Sequence, residues 1–209
     1  MVFESRQSAG NILAQQLAVS HKGKIALVLG LARGGVSVAF PIAKQLGAPL
    51  DVLIVKKIPS PGEKELGIGA LAWDNVWRVD WKLAHRMGAD EAYVNKEISR
   101  LASEIADRTR LYRRGKGALE VKGKTILLVD DGAATGATMA TAVLWARKKQ
   151  AKQIVVALPV AHADVVSALK PEVDELHILE IRSDLGAVGQ FYEEFHQLSD
   201  DEVVQLLNG

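Results

Sequence analysis

Short apolar runs alternate along the chain with longer segments whose apolar residues recur at helical spacing. Because the runs are continuous, they predict strands that are buried on both faces of a sheet. These strands are predicted near 25–29, 50–55, 125–130, 153–158 and 174–181. The helical patterns lie near 5–18, 35–46, 90–114, 137–149, 162–169 and 199–208. This alternation predicts an α/β fold, with a parallel sheet covered by helices on both faces.

Two short apolar segments, Ala70–Trp73 and Val76–Val79, do not fit the alternation. They flank an Asp-Asn pair, and together they predict a hairpin. The competing interpretation is a helical aromatic stripe, because Trp73, Trp77 and Trp81 recur at every fourth position. We favour the hairpin because Asn is typical of turns and β-branched Val of strands.

Two further segments are predicted to lie outside the layered core. Residues 58–69, IPSPGEKELGIG, contain two prolines and three glycines and predict a flexible loop. Residues 184–196, DLGAVGQFYEEFH, are rich in aromatic residues and glycine. We expect them to belong to a small hood formed by the N-terminal residues and about 182–198. The whole chain, 1–209, is predicted to be a single domain.

The most informative segment is ILLVDDGAATGATM, residues 126–139. Its apolar strand ends at Asp130 and Asp131, on the edge where open α/β sheets bind ligands. The loop that follows has small side chains and leads into a helix, so backbone amides and the positive end of the helix can face an anion. The carboxylates can accept hydrogen bonds from the hydroxyls of a sugar ring, and the loop beside them can bind a phosphate. The segment would therefore suit a sugar phosphate. The loop comprises Gly132, Ala133, Ala134, Thr135, Gly136, Ala137 and Thr138.

This segment resembles the signature of the type I phosphoribosyltransferases, in which an apolar strand and two acids precede a phosphate loop. The matching residues are Asp130, Asp131, Thr135, Gly136 and Thr138. Ala134 stands where many members have a second threonine. The simplest alternative is a buried strand followed by a turn of small residues. Another is a metal-binding receiver domain, which also places acids after a strand but does not require the phosphate loop. A P-loop is disfavoured, because GALEVKGKT at 117–125 has five residues instead of four between its glycines and precedes a strand.

A second candidate anion loop is LGLARGG, residues 29–35, at another strand-to-helix junction. Its glycines lack the G-x-G-x-x-G spacing of a dinucleotide site. The resemblance implies a pyrophosphate loop here, formed by Arg33, Gly34 and Gly35. A plain turn is the alternative.

Lys56 and Lys57 follow the strand predicted at 50–55, on the same edge as both loops. We favour a role in binding pyrophosphate over a simple solvated strand end. The resemblance also implies that the flexible loop 58–69 closes over the site, and that Lys64 reaches the pyrophosphate from it.

The resemblance covers about residues 5–207 and is closest to a group of predicted phosphoribosyltransferases whose acceptor is not established. It implies transfer of the phosphoribosyl group of phosphoribosyl pyrophosphate (PRPP) to a nucleobase-like acceptor, with release of pyrophosphate. Asp130 and Asp131 would hold the ribose hydroxyls or Mg²⁺, and the 132–138 loop the 5-phosphate. Arg33 and Lys56 would stabilise the leaving pyrophosphate.

The segment Val188–Glu193 resembles the hood strand of purine-salvage members. By that resemblance Phe191 or Tyr192 would stack on a base, and Glu193 would help to hold Mg²⁺ through water. Packing within the hood is the alternative for the aromatic residues. Members that use oxopurines carry a lysine after the strand that follows the phosphate loop. No lysine lies between Lys152 and Lys170, which argues against a hypoxanthine or guanine acceptor.

Composition narrows the remaining choices. The net charge of +1 gives no global field that favours nucleic acid or a membrane as a partner. The absence of cysteine excludes disulfides and thiolate metal sites. The five histidines show no metal-ligand spacing, and His162 is expected to open a helix on the ligand-facing edge. The N-terminus does not resemble a signal peptide, and no apolar run is long enough to span a bilayer, so we expect a cytoplasmic protein. The resemblance implies a homodimer.

Two other functions are kept open. The first is a non-catalytic protein that senses PRPP or a nucleotide, although no helix-turn-helix module or basic stripe is visible. The second is a sugar-phosphate hydrolase or phosphorylase that uses the same two anion loops.

Overall fold

The computed structural model describes residues 1–63 and 66–209, whose strands form two sheets. The strands are β1 (Leu27–Leu31), β2 (Leu50–Leu53), β3 (Val55–Pro59), β4 (Gly67–Ala72), β5 (Val76–Val79), β6 (Thr125–Val129), β7 (Gln153–His162) and β8 (Glu175–Arg182). The main sheet has the order β2-β1-β6-β7-β8 and is parallel throughout, as predicted. The smaller sheet, β3-β4-β5, is antiparallel.

Helices cover both faces of the main sheet, which confirms the predicted α/β architecture. They are α1 (Arg6–His21), α2 (Gly34–Leu46), α3 (Trp81–Arg86), α4 (Glu91–Arg113), α5 (Ala137–Lys148), α6 (Ala163–Leu169) and α7 (Asp200–Asn208). Ser5 and Ser199 cap α1 and α7 by accepting hydrogen bonds from their first turns, and Gly47 ends α2 in the left-handed conformation. No helix in the described part of the chain is both long enough and apolar enough to cross a bilayer.

Two apolar layers hold the sheet in place. On one face, α1 and α2 pack against side chains such as Leu127 and Val155. A side chain at Gly10 would meet the Val38 carbonyl oxygen at 2.4 Å, so glycine allows α1 and α2 to approach closely. On the other face, α5 and the small sheet pack against residues such as Leu128 and Val156. The main strands are therefore buried on both sides, as their continuous apolar runs predicted.

The prediction of one strand over 50–55 is wrong for its second half. The chain leaves the main sheet after Leu53, and Val55 begins β3 of the small sheet. Lys56 and Lys57 therefore lie within an antiparallel strand and do not end a central one. The apolar run continues across the break because Ile54 and Ile58 are buried beside α4 and α7, in the same cluster as Val52. Hydrophobicity alone does not show where a buried chain changes sheets.

The predicted flexible loop over 58–69 is also shorter in the structure. β3 continues to Pro59 and β4 begins at Gly67, so both ends of the segment are paired strand. Pro59 is tolerated because β3 is an edge strand. Ser60 closes the hairpin by donating its amide to the Leu66 carbonyl at 2.8 Å. Lys64 lies outside the described residues.

The hairpin of β4 and β5 confirms the prediction over 70–79 and excludes the helical tryptophan stripe. Asp74 and Asn75 adopt positive φ in the turn between the strands, as the Asp-Asn pair suggested. The short helix α3 was not predicted. β7 also extends to His162, so α6 begins one residue later than expected. There the His162 ring caps α6 by accepting from the Asp164 amide at 3.1 Å.

A buried ion pair joins α4 to the main sheet. The Arg113 guanidinium donates to both carboxylate oxygens of Asp51 on β2, at 3.0 and 2.9 Å. Both side chains are buried, and the guanidinium also lies over the Trp73 ring at 5.0 Å. Because charges are expensive to desolvate, the carboxylate depends on this partner.

We predict that Arg113→Met lowers the free energy of unfolding by about 3–5 kcal/mol, because Asp51 would be left as an uncompensated buried charge. The matched control is Arg110→Met on the same helix, whose exposed pair with Asp107 is worth about 1 kcal/mol or less. Urea unfolding of both variants measures the difference. Equal losses would show that Asp51 does not depend on Arg113.

Candidate active site

Two loops meet where the order of the main sheet reverses. β1 leads through Arg33 into α2, and β6 leads through Asp130 and Asp131 into α5. β1 and β6 are adjacent, with Gly30 paired to Val129, so both loops leave the same edge of the sheet. This is the switch point at which open α/β sheets bind ligands. The two anion loops predicted from the sequence therefore lie side by side.

The glycines of the first loop are required by its contact with the acids. A side chain at Gly34 would meet the Asp131 carboxylate at 1.9 Å, and one at Gly35 would meet the Val129 carbonyl oxygen at 2.5 Å. Neither position has room for a methyl group. The peptide bond between Ala32 and Arg33 just before them is cis.

Asp130 and Asp131 share a mostly buried position. Asp130 Oδ1 accepts the Asp131 amide at 2.9 Å. Burial raises the pKa of Asp130 well above the ordinary aspartate value, and the charge of Asp131 raises it further, whereas Lys57 opposes the shift. Burial also raises the pKa of Asp131, although Arg6 opposes that shift. The pair is a concentration of negative charge, and such charge attracts cations and hydroxyl donors.

Arg6 contacts the acids directly, and the sequence interpretation missed it. Its Nε donates to Asp131 Oδ2 at 2.7 Å, and its Nη1 donates to the His196 carbonyl at 2.9 Å. The guanidinium lies 3.8 Å from the centre of the Phe195 ring, and the residue is only 8% exposed. Arg6 is the first residue of α1, and no sequence spacing connects it to a carboxylate that lies more than one hundred residues away. Only the fold brings the two together.

The N-terminal residues and the 188–196 segment pack together over the acids. Phe3 pairs with Tyr192, and their backbone contacts continue to Glu193. The Tyr192 hydroxyl donates to the Asp131 carbonyl at 2.6 Å, and burial raises its pKa, so it stays protonated. The Tyr192 ring is therefore packed within the hood, and its hydroxyl is bound to the Asp131 backbone. Phe191 is half-buried beneath the Arg182 guanidinium, in a 3-10 turn.

The predicted phosphate loop is divided in two by its backbone hydrogen bonds. The Ala133 amide donates to the Val160 carbonyl at 3.0 Å, so it is not free for an anion. Gly132 and Ala134 lie on either side of this anchored residue. Beyond it, Gly136 caps α5 with φ of 71°, a conformation that favours glycine. The part of the loop that faces an open cavity is Thr135, Gly136 and Ala137, followed by Thr138 in the first turn of α5.

This cavity has a volume of about 600 Å³ and lies between the phosphate loop and the small sheet. Lys57 and Arg78 line it together with the carboxylates of Asp80 and Glu172, and Arg78 donates to both oxygens of Glu172 at 2.9 and 3.0 Å. Gly67 and Gly69 form part of its wall. The N-terminus of α5 opens into it beside Thr135. The amides at the start of α5, the Thr135 hydroxyl and Lys57 are the groups of this lining that can bind an anion.

Successive side chains of a strand point to opposite faces, so Lys56 and Lys57 of β3 lie on different sides of the small sheet. Lys57 lines the cavity, and its charge acts on Asp130. Lys56 points to the other face of β3 and pairs with Glu104 of α4. The structure thus places Lys57, and not Lys56, beside the acids and the phosphate loop.

The other predicted residues lie at the margins. Arg33 is directed towards α7, and its Nη1 lies 3.7 Å from Asp200 Oδ1, a partly exposed and therefore weak pairing. Glu193 is exposed. Within the described residues, its carboxylate does not form a cluster with Asp130 and Asp131 in which all ligand atoms lie within 4.8 Å of one another.

A model of the phosphoribosyl transferase domain matches residues 5–191. The chain belongs to this family. That span covers α1, both anion loops and the 3-10 turn, whereas Phe3 and the site residues from Tyr192 onwards lie outside it. The family resemblance inferred from the sequence is confirmed.

Relatives of the phosphoribosyl transferase domain occur in Mycobacterium tuberculosis. Two curated proteins, "Putative phosphoribosyl transferase MT0597" of strain CDC 1551 / Oshkosh and "Putative phosphoribosyl transferase Rv0571c" of strain ATCC 25618 / H37Rv, are each 40% identical to it over 207 residues. The alignment covers 99% of this chain but 46% of each relative. The chain thus spans about half the length of these proteins.

Solved structures share the fold. The protein TT1426 from Thermus thermophilus has a TM-score of 0.80 and 37% identity, with 99% of this chain and 98% of that chain covered. A hypoxanthine phosphoribosyltransferase from Staphylococcus aureus has a TM-score of 0.51 and 12% identity, with 88% and 78% covered. The second likeness concerns the fold alone.

We predict that Asp130→Asn stabilises the phosphoribosyl transferase domain at neutral and alkaline pH. The folded-state pKa of Asp130 is raised, so as the pH rises above the ordinary aspartate pKa of about 3.9 the unfolded state ionises first and the folded state loses stability. The gain in the free energy of unfolding is expected to be absent below about pH 3, where the wild-type carboxyl is protonated in both states, and to grow with pH until the folded-state pKa is passed.

Thermal unfolding across this pH range measures the effect. Asp164→Asn is the control, because the Asp164 side chain is exposed and should give no comparable gain. If Asp130→Asn were less stable than the wild type at about pH 8, the raised folded-state pKa assigned to Asp130 would be contradicted.

Proposed function

We propose that this member of the family transfers the phosphoribosyl group of PRPP to a nucleobase-like acceptor and releases pyrophosphate. The observation that carries the proposal is that a mostly buried acidic pair at the end of β6 is followed within a few residues by a loop that lines an open cavity and begins a helix. Asp130 and Asp131 follow β6, and Thr135 to Ala137 line the cavity only a few residues later. PRPP presents the same order of groups, with ring hydroxyls adjacent to a 5-phosphate.

The acids would bind the ribose. The carboxylates can accept hydrogen bonds from the 2- and 3-hydroxyls, because Arg6 engages only Oδ2 of Asp131. Arg6 and Tyr192 hold Asp131 from behind, at its side chain and at its backbone. A carboxylate fixed in this way orients the sugar without rearrangement on binding, which is how positioning lowers a barrier.

The 5-phosphate would bind at the N-terminus of α5. The Thr135 and Thr138 hydroxyls and the backbone amides of the first turn can donate to its oxygens. The left-handed Gly136 turns the chain into the helix at this point. Ala133 anchors the loop to β7, so the phosphate contacts come from the residues after it.

The leaving pyrophosphate would depart beside Lys57 and the Gly34–Gly35 backbone. The bond between C1 of the ribose and the pyrophosphate oxygen breaks, and a bond from C1 to an acceptor nitrogen forms. Positive charge develops on the ring and negative charge on pyrophosphate, so nearby carboxylates and a lysine stabilise opposite ends of the transition state. No residue has to act as a covalent nucleophile.

Mg²⁺ suits this donor set. Among the described residues, Arg6 is the close cationic partner of the two buried carboxylates, whose pKa values are raised, so a hard dication would relieve their charge. Asp130 and Asp131 would hold it, with Glu193 reaching it only through water. When bound, Mg²⁺ would neutralise the diphosphate and help it to leave.

We predict that PRPP binds in a Mg²⁺-dependent manner and that Asp131→Asn weakens the binding. Losing a charged hydrogen-bond partner should cost about 1.5–3 kcal/mol, or roughly 10- to 100-fold in the dissociation constant. Calorimetric titration with and without Mg²⁺ measures this for the wild type and for Asp131→Asn, with His85→Gln as an exposed control. Tight PRPP binding by Asp131→Asn would refute the ribose site.

A pyrophosphate-release assay with a panel of bases then separates the candidate activities. Base-dependent release identifies a transferase, and base-independent release identifies a hydrolase. Magnesium-dependent binding without any turnover identifies a sensor of PRPP.

We predict that Lys57 matters more for PRPP binding than Lys56. Lys57→Met should weaken the binding about tenfold or more, because it removes a cation from the cavity lining. Lys56→Met should have the smaller effect, because Lys56 faces Glu104 on the opposite side of β3. Titration of both variants tests this, and the reverse order would show that β3 turns over when ligand binds.

A further inference from the structure

A group of metal-ligating side chains lies outside the site described above. Among residues 1–63 and 66–209, His21, Glu175 and His177 are the only three such residues whose ligand atoms all lie within 4.8 Å of one another. No local sequence pattern indicates this group, because His21 is separated from the other two by more than 150 residues along the chain. His21 is the last residue of α1, and Glu175 is the first residue of β8.

Secondary structure explains the convergence. Glu175 and His177 are two positions apart on β8, so their side chains point to the same face of the strand. Leu179, two positions further, packs in the core cluster of α1 and α2, so this is the face that α1 covers. The end of α1 thus brings His21 onto a carboxylate and an imidazole that are already aligned.

The distances suit a small divalent transition metal. His21 Nε2 and His177 Nε2 lie 3.0 and 3.3 Å from the same oxygen, Oε2 of Glu175. Ligands at 2.0–2.1 Å from a tetrahedral zinc ion are separated from each other by about 3.3 Å. Two imidazoles and one carboxylate form the three-protein-ligand set of zinc sites that keep a fourth position for water. Imidazole ligands favour zinc-like metals over Mg²⁺.

The surroundings of the group also fit a metal site. The His21 side chain is only 6% exposed, and Ser20 Oγ lies 2.7 Å from its Nδ1. When Nδ1–H donates to the Ser20 hydroxyl, Nε2 is free to bind a metal, and such support is typical of metal-binding histidines. Glu175 is about half-exposed, so a metal ion can enter from solvent. One ligand is therefore fixed and the other two can adjust.

We propose that His21, Glu175 and His177 form a second metal site, which binds a zinc-type divalent transition metal and fixes the end of α1 to the edge strand β8. The site is separate from the acidic pair. At about 1.5 Å per residue, the His21 end of α1 lies about 22 Å from the Arg6 end that contacts Asp131. The metal would join the end of α1 to β8, and it would thereby hold the helix whose first residue supports the candidate active site.

We predict that the metal-free protein binds one Zn²⁺ per chain and gains thermal stability from it, whereas Mg²⁺ does not compete. Glu175→Gln and His177→Gln should each weaken Zn²⁺ binding by roughly 100-fold, and Ser20→Ala by roughly tenfold. His85→Gln should bind like the wild type, because His85 is an exposed histidine on α3. Titration against a chromophoric chelator, with Co²⁺ absorption as a check on coordination, measures these differences.

A second measurement needs no variant. In protein with ¹⁵N-labelled histidine, Zn²⁺ should shift the imidazole signals of two of the five histidines and leave the other three unchanged. No saturable binding by the wild type, or equal shifts of all five signals, would overturn the proposal. Unchanged affinity in both Glu175→Gln and His177→Gln would overturn it as well, because the metal would then bind elsewhere.

Discussion

The contact between Arg6 and Asp131 is the interaction on which the candidate active site depends. Two adjacent carboxylates are buried at the switch point of the sheet, where neither desolvation nor their mutual repulsion favours ionisation. Arg6 opposes this with a 2.7 Å hydrogen bond to Asp131. Because α1 places a cation against them, the pKa values of the two acids are raised less than burial alone would raise them.

This contact also determines where the hood lies. Arg6 donates to the His196 carbonyl and lies over the Phe195 ring, so the cation that neutralises Asp131 also holds the aromatic segment. Tyr192 adds a hydrogen bond from that segment to the Asp131 backbone. The hood and the acidic pair are therefore one connected unit, and a change in either one should alter the other. On the opposite side, Gly34 leaves just enough room for the Asp131 carboxylate.

Helix α1 has a larger role than its plain amphipathic sequence suggests. Its first residue contacts the acids, its middle packs against α2 through Gly10, and its last residue meets Glu175 and His177. Movement of α1 would therefore change the position of Arg6. Anchoring the far end of α1 to β8 would restrict that movement, and such anchoring is the physical role that we assign to the second metal site.

The sequence by itself determined the layered fold and the motif after β6. Continuous apolar runs exist because the main strands are buried on both faces, and a run such as Ile126–Val129 is readable without a structure. The Asp-Asp pair, the left-handed Gly136 and the caps Ser5, Gly47 and Ser199 act locally, so their residue types identify them.

Only the tertiary structure decided which side chains meet. The apolar run at 50–55 could not show that the chain changes sheets after Leu53, because both halves are equally buried. Lys56 and Lys57 are alike in sequence, but the β3 strand turns them to opposite faces. Arg6 and His21 acquire their partners through the packing of α1. Those partners lie more than one hundred residues away along the chain, so no local sequence pattern indicates them. Local chemistry is encoded by neighbouring residues, whereas the partners of a buried charge depend on how the elements pack.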